Sequence, residues 1–180
     1  MHIFDNNFRE IFISQIVSMA VGMLAGFVLA FYTGNLLLLP GLLIVLPGFL
    51  ELRGAISGAF SSRLSSGLFL GVISAKTFNT RLIRSNLVAS FVLAIVASFV
   101  LGLIACAFTY LLSGIFFVKL ILIAVVAGVI ANFIEIPLAL FSTFYLFRKG
   151  HDPNNIMGPF ILSTGDLVSI ISLAIAMVVI

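Results

Sequence analysis

Long runs of apolar residues alternate with short polar segments along this chain, and the pattern predicts five membrane-spanning helices. A bilayer core about 30 Å thick needs roughly 20 apolar residues per helix. The runs cover approximately residues 11–32, 36–51, 87–112, 117–147 and 160–180. The predicted fold is an all-α integral membrane protein, with residues 1–180 forming one domain and the two termini on opposite sides of the membrane.

The segment that follows the second run fits neither a clean span nor an ordinary loop. Residues 51–84 are rich in Gly and Ser, and Gly54 and Gly58 form a G-x-x-x-G spacing that lets helices pack closely in lipid. Non-helical backbone at membrane depth must be buried in protein or line water. We therefore predict an irregular Gly/Ser-rich segment after the second helix. The alternative is a small-residue packing face followed by an interfacial amphipathic helix.

Composition restricts the class of protein. Hydrophobic residues make up 62% of the 180 residues and charged residues 8%, whereas soluble domains have roughly 45–50% and 25%. This excludes a cytosolic enzyme, a disordered chain and a nucleic-acid-binding protein. The single cysteine, Cys106, excludes an internal disulfide and a cysteine-based metal cage. His2 and His151 lie outside the spans, which argues against an intramembrane enzyme.

The basic residues predict the orientation. In a five-span chain, Lys119 lies on one face of the membrane and all the other basic residues lie on the opposite face. These other residues are Arg9, Arg53, Arg63, Lys76, Arg81, Arg84, Arg148 and Lys149. Because cytoplasmic loops carry an excess of Lys and Arg, we expect the N-terminus to be cytoplasmic and the C-terminus to be outside, in the cell membrane.

Three acidic residues, Glu51, Glu135 and Asp166, lie within apolar sequence. A carboxylate in the hydrocarbon region costs several kcal/mol unless it is paired or hydrated, so such residues are usually functional. The alternative for Glu51 is an ion pair with Arg53 or Arg63. For Glu135 it is a structural hydrogen bond within the helix bundle.

Asp166 is the strongest candidate, because its own span contains no basic residue. Ser163, Ser169 and Ser172 recur at intervals of three around it, and Thr164 adds a further hydroxyl. A slowly winding polar stripe on an apolar helix is more typical of a pore wall than of a lipid-facing surface. Ser163, Thr164 and Ser169 are therefore predicted to orient water molecules around an ion.

Carboxylate, carbonyl and water oxygens suit hard cations such as Mg²⁺, Ca²⁺ and Mn²⁺. Mg²⁺ keeps several of its waters and needs only one or two carboxylates. One Asp166 per chain is a sparse site, but a two-fold axis would bring two copies together. Protons are the competing ligand, because carboxylates in transporters often relay them.

Two segments resemble the MgtE-type divalent-cation transporter family and its eukaryotic solute-carrier branch. The stronger, residues 152–169, reads D-P-N-N-I-M-G-P-F-I-L-S-T-G-D-L-V-S, and the weaker, residues 47–71, begins P-G-F-L-E-L-R-G-A-I-S-G. The resemblance implies a homodimer with an ion path near its two-fold axis. It assigns the pore acid to Asp166 and the acid of the first motif to Glu51. Ala55 replaces the usual Asn after Gly54, and the cytoplasmic sensor domains of longer members are missing from these 180 residues. Glu135 has no counterpart in the family pattern.

The predicted function is transport of divalent cations, Mg²⁺ above all, as cargo of a homodimer in the lipid bilayer, without a prosthetic group. Asp166, Glu51 and Glu135 are the predicted metal ligands or flanking acids, and Gly54 and Ala55 are predicted to line the path. Two other functions remain open: a proton-coupled carrier of a small solute, and a membrane scaffold or assembly protein. The first would require a proton gradient, and the second would tolerate neutralisation of all three acids.

Overall fold

The computed structural model describes residues 6–37, 39 and 41–180, and every regular element in this part of the chain is an α-helix. The helices are α1 (Asn6–Leu37), α2 (Leu42–Phe69), α3 (Arg81–Ser113), α4 (Lys119–Arg148) and α5 (Pro153–Val179). Each contains a stretch that is long and apolar enough to cross a membrane. The prediction of a five-helix membrane protein is therefore confirmed.

The prediction of an irregular segment after the second helix is wrong. Helix α2 continues without a break from Leu42 to Phe69, and only residues 70–80 separate it from α3. The serines that lowered the hydropathy, Ser57, Ser61 and Ser65, follow each other at intervals of four and are all buried. The drop in hydropathy thus marks a polar face that packs against other helices, not a break in the helix.

Local sequence signals set the start of α3 and α5. Thr80 precedes α3, and its side chain accepts a hydrogen bond from the Ile83 amide. Asp152 does the same for the Asn154 amide at the start of α5, with Pro153 in the first turn. The D-P pair noted in the sequence is therefore a helix cap that fixes where α5 begins.

The helices differ in how deeply they are packed. In the most apolar 18-residue window of each helix, half of the α4 residues are buried, compared with 6% in α1. Helices α2, α4 and α5 contact one another, α3 packs on α2 and α4, and α1 lies mainly against α5. At Gly102 of α3, an added Cβ would lie 2.7 Å from the Ile121 Cα of α4, so the two backbones are in close contact.

Helix α1 is held to α5 where a proline weakens the helical hydrogen bonding. Pro159 has no N–H, so the carbonyl of Asn155 cannot receive its usual helical hydrogen bond. Ser14 Oγ lies 3.2 Å from that carbonyl oxygen, and Ser18 Oγ donates to the Pro159 carbonyl at 2.7 Å. Serines of α1 thus supply polar partners to α5 where the bilayer offers none.

One basic residue does not lie where the sequence analysis placed it. Arg53 is completely buried near the middle of α2, so it is not a topology signal. At one end of the bundle, Arg148 of α4 donates to the Ala75 carbonyl of the 70–80 link at 2.7 Å. At the other end, Lys119 donates to the Ile180 carbonyl at 3.1 Å. The orientation across the membrane stays a prediction, supported now by the remaining basic residues.

Candidate functional site

A buried ion pair joins α2 and α4 at the centre of the bundle. Arg53 Nη2 lies 3.1 Å from Glu135 Oε2, and the two side chains are 0% and 1% exposed. The same Nη2 donates to Asn132 Oδ1 at 3.0 Å, and Ser57 donates its hydroxyl to Glu135 Oε2. The alternative pairing of Arg53 with Glu51 is therefore wrong. Helical spacing in the sequence contained the signal, because residues 53 and 57 share one face of α2 and residues 132 and 135 one face of α4.

Several polar atoms of this cluster have no hydrogen-bond partner among the described residues. They are Arg53 Nε and Nη1, Asn132 Nδ2 and Glu135 Oε1. Further along the same helix pair, Ser61 and Thr143 share a hydrogen bond of 3.0 Å. The contact surface between α2 and α4 is thus polar over several turns. Its charged groups have some N and O atoms that no described protein atom hydrogen-bonds.

Asp166 is the central residue of α5, and it is partly buried. Within the described part of the chain it forms no ion pair, and neither does Glu51, which is exposed on α2. The two acids lie on helices that pack against each other. Nearby, a Cβ on Gly54 would lie 2.9 Å from Leu162 Cδ2, which shows how closely α2 approaches α5. The two acids that the resemblance assigned to the pore therefore each lie about one helical turn from this contact.

The backbone of Gly165, the residue before Asp166, packs against the buried ion pair. A Cβ added to Gly165 would lie 3.6 Å from Glu135 Oε1, so α5 approaches the Glu135 carboxyl group where it has no side chain. Asp166 is the next residue of α5 after this contact. Of the three acids predicted from the sequence, Glu135 alone has a basic partner among the described residues.

The hydroxyl residues of α5 lie around more than one side of the helix. Ser163 is buried, donates to the Pro159 carbonyl at 3.1 Å, and lines a groove of about 300 Å³ between α1 and α5. Thr164 donates to the Phe160 carbonyl at 2.7 Å. Ser169 is buried, and its hydroxyl has no partner among the described residues. Of these three hydroxyl groups, that of Ser169 is therefore left without a protein partner in the described part of the chain, while Ser163 and Thr164 bond their own helix.

The two remaining predicted residues lie on different sides of α2. Gly54 is buried against α5, whereas Ala55 is exposed on the side that carries Glu51, one turn away. In the described part of the chain, no three His, Cys, Asp or Glu side chains are grouped so that they could hold a metal ion. One chain thus presents two unpaired carboxylates, a set that can attract a hydrated cation but cannot enclose it.

Five long apolar helices with ionisable groups at mid-height define a multi-pass membrane protein with a polar interior. The family model described as MgtE, divalent cation transporter, matches residues 46–176, which include most of α2 to α5. The chain belongs to this family, which is one of transporters and not of enzymes. The earlier resemblance is thereby confirmed, and α1 lies outside the matched residues. No curated protein and no solved structure gives a significant match.

Proposed function

We propose that this protein carries divalent cations, Mg²⁺ above all, along a path that is lined by Asp166 at the axis of a homodimer. One observation carries the proposal. Asp166 lies at the centre of a membrane helix, beside Glu51, and neither acid has an ion pair among the described residues. Unpaired carboxylates at that depth are costly unless water and a cation reach them, and the family membership supplies the kind of cation.

The incomplete ligand set of one chain supports a homodimer. Two carboxylates per chain leave a cation largely exposed, whereas a two-fold axis beside Asp166 would present four. The face of α2 that carries Glu51 continues through small exposed residues, Ala55, Ala59 and Ser62, at helical spacing. Small residues let a second copy approach closely in lipid, so this face of α2 and α5 is the proposed wall of the path.

Each residue of the group has a distinct proposed role. Asp166 attracts a partly hydrated cation at the narrowest point, and Glu51 flanks it on α2. Ser169, together with Thr164 and Ser163, orients water around the ion, and Mg²⁺ suits such a site because it retains its waters. A membrane potential that is negative inside favours inward movement of the cation by about 2.3 kcal/mol per charge per 100 mV.

Contacts of Glu135 favour a supporting role over direct ligation. The sequence predicts Glu135 as a metal ligand or flanking acid. In the structure Arg53 and Ser57 bind its carboxyl group, and its side chain is 1% exposed. In the proposal it supports α5 beside Asp166 and contributes charge to the path.

The decisive assay is cation flux into liposomes that contain the purified protein. We expect uptake of Mg²⁺, with Mn²⁺, Co²⁺ and Ca²⁺ tested in parallel by dye or isotope, and no uptake into empty liposomes. Flux should persist when a protonophore removes the proton gradient. Uptake that stops with the gradient would favour the proton-coupled carrier instead, and the absence of divalent flux would refute the proposal.

Oligomeric state needs its own measurement. We expect two copies per particle from the mass of the protein in detergent or from photobleaching steps in liposomes. A preparation that transports Mg²⁺ while its mass matches one chain would contradict the homodimer.

A further inference from the structure

We propose that Arg53 is a positioning residue that sets how strongly the path holds its cargo, because it compensates the charge of Glu135 beside Asp166. The inference rests on the proposed function and deepens it. It concerns the interplay of three groups: a buried arginine on α2, its acid partner on α4, and the unpaired acid on α5.

The position of the Arg53 charge is fixed by its surroundings. Its side chain is 0% exposed, and one nitrogen, Nη2, contacts both Glu135 Oε2 at 3.1 Å and Asn132 Oδ1 at 3.0 Å. Ser57 donates to the same Glu135 oxygen and so holds the carboxylate from the other side. Neither charge can turn towards solvent, so the pair acts on its surroundings as a fixed dipole.

The pair is adjacent to the proposed path. The free oxygen of Glu135, Oε1, faces Gly165, the residue before Asp166, and the charges of Glu135 and Asp166 interact. Glu51 lies on α2, about one turn from the contact of Gly54 with α5. Among the described residues, these three acids and Arg53 therefore set the field that a cation meets at this level of the bundle.

Removing one member of the pair does not have the same effect as removing the other. In Arg53→Gln, Glu135 loses its counter-ion and takes up a proton, because an unpaired carboxylate is too costly to keep buried, so both groups become neutral and the cation binds nearly as before. In Glu135→Gln, Arg53 is left as an uncompensated positive charge and repels the cation. In the double variant both charges are gone, so the field at Asp166 returns close to that of the unmodified protein.

The test measures Mg²⁺ flux into liposomes against Mg²⁺ concentration for the two single variants and the double variant. We expect the apparent KM to rise about tenfold in Glu135→Gln and to stay within about threefold of the unmodified value in Arg53→Gln. The KM of Arg53→Gln/Glu135→Gln should return to within about threefold of the unmodified value, and Arg53→Lys should retain it. Arg84→Gln is the matched control, because Arg84 is an exposed arginine near the start of α3, outside the proposed wall of the path, and donates to Asn79 Oδ1 at 2.6 Å.

Several outcomes would overturn the inference. If Arg53 has only a packing role, the variants lose folded protein or maximal rate, without a rise in KM in Glu135→Gln that the double variant reverses. If Glu135 is itself a cation ligand, the double variant keeps the high KM of Glu135→Gln. Should Glu135→Gln fail to fold, Arg53→Lys/Glu135→Gln keeps the uncompensated positive charge, and an unshifted KM in that variant would refute the inference. The Asp166→Asn variant tests the proposed function separately. If this variant loses flux while the KM values of the Arg53 and Glu135 variants are unshifted, the role of Arg53 is refuted and the proposed function is not.

Discussion

Replacing Asp166 by Asn removes one negative charge per chain and leaves the size of the side chain almost unchanged. Because Asp166 is partly buried at the centre of α5 and has no ion pair among the described residues, the change breaks no salt bridge that α5 needs for folding. It also relieves the cost of holding a charge at membrane depth. We therefore expect a folded protein that has lost its transport activity.

The size of the loss follows from Coulomb's law. A carboxylate and a unit charge 4 Å apart attract each other by about 1 kcal/mol in bulk water. The bulk-water figure is the appropriate lower bound because the side chain is partly exposed. A divalent cation raises it to about 2 kcal/mol for one Asp166, and two copies give about 4 kcal/mol. Since 1.4 kcal/mol corresponds to a factor of ten, cation occupancy should fall roughly a thousandfold.

The assay compares initial rates of Mg²⁺ uptake at equal amounts of folded protein, verified by size-exclusion chromatography and thermal unfolding. Glu10→Gln is the matched control, because Glu10 lies near the start of α1, outside the residues that match the family model. Its side chain pairs with His151 at 2.8 Å. We expect its uptake to equal that of the unmodified protein. Uptake by Asp166→Asn that stays within a few-fold of the unmodified rate would refute the role assigned to this carboxylate.

Two further predictions concern helix packing and are measured by thermal unfolding in detergent. Gly102→Ala should cost about 1–3 kcal/mol, because the added methyl meets the Ile121 backbone at 2.7 Å, whereas Gly54→Ala should cost less, because its nearest neighbour is the flexible end of a leucine side chain. Equal losses would contradict this reasoning. Ser18→Ala should cost about 0.6 kcal/mol and make α1 more sensitive to proteolysis, because it removes the hydrogen bond to the Pro159 carbonyl, while Ser18→Thr should not. Unchanged α1 protection in Ser18→Ala would show that this contact is dispensable.

The sequence predicted the number and type of the helices because length and hydropathy alone determine whether a segment can cross a bilayer. It failed at residues 51–69, where a change in composition was interpreted as a change in backbone conformation. In α2, Ser57 and Ser61 bond to partners on α4, so they satisfy the demands of the bilayer from within a regular helix. Hydropathy averages over all faces of a helix and cannot distinguish a polar packing face from a break.

The acids were found from the sequence, but the partner of Glu135 was not. A carboxylate inside an apolar run can be recognised from the sequence alone. Arg53 and Glu135, in contrast, are brought together only when α2 packs against α4. The nearest acid in sequence to Arg53 is Glu51, two residues away, yet a separation of two places the side chains on opposite sides of a helix. Helical geometry therefore argues against an ion pair between Arg53 and Glu51. The actual partner, Glu135, comes close to Arg53 only through the packing of α2 on α4.

A buried ion pair is weak evidence for stability, because desolvation of the two ions offsets much of their attraction, and apolar replacements are often neutral or stabilising. Here the offset is larger than usual, since Arg53 Nε and Nη1 and Glu135 Oε1 have no protein partner among the described residues. The net contribution of the pair to folding is correspondingly small. Its electric field nevertheless reaches the backbone that carries Asp166, because both ions are shielded from solvent and Glu135 Oε1 lies beside Gly165. In the proposal, Arg53 therefore acts on the cation through its charge, and removal of either member of the pair alone leaves a costly unpaired group in the bundle.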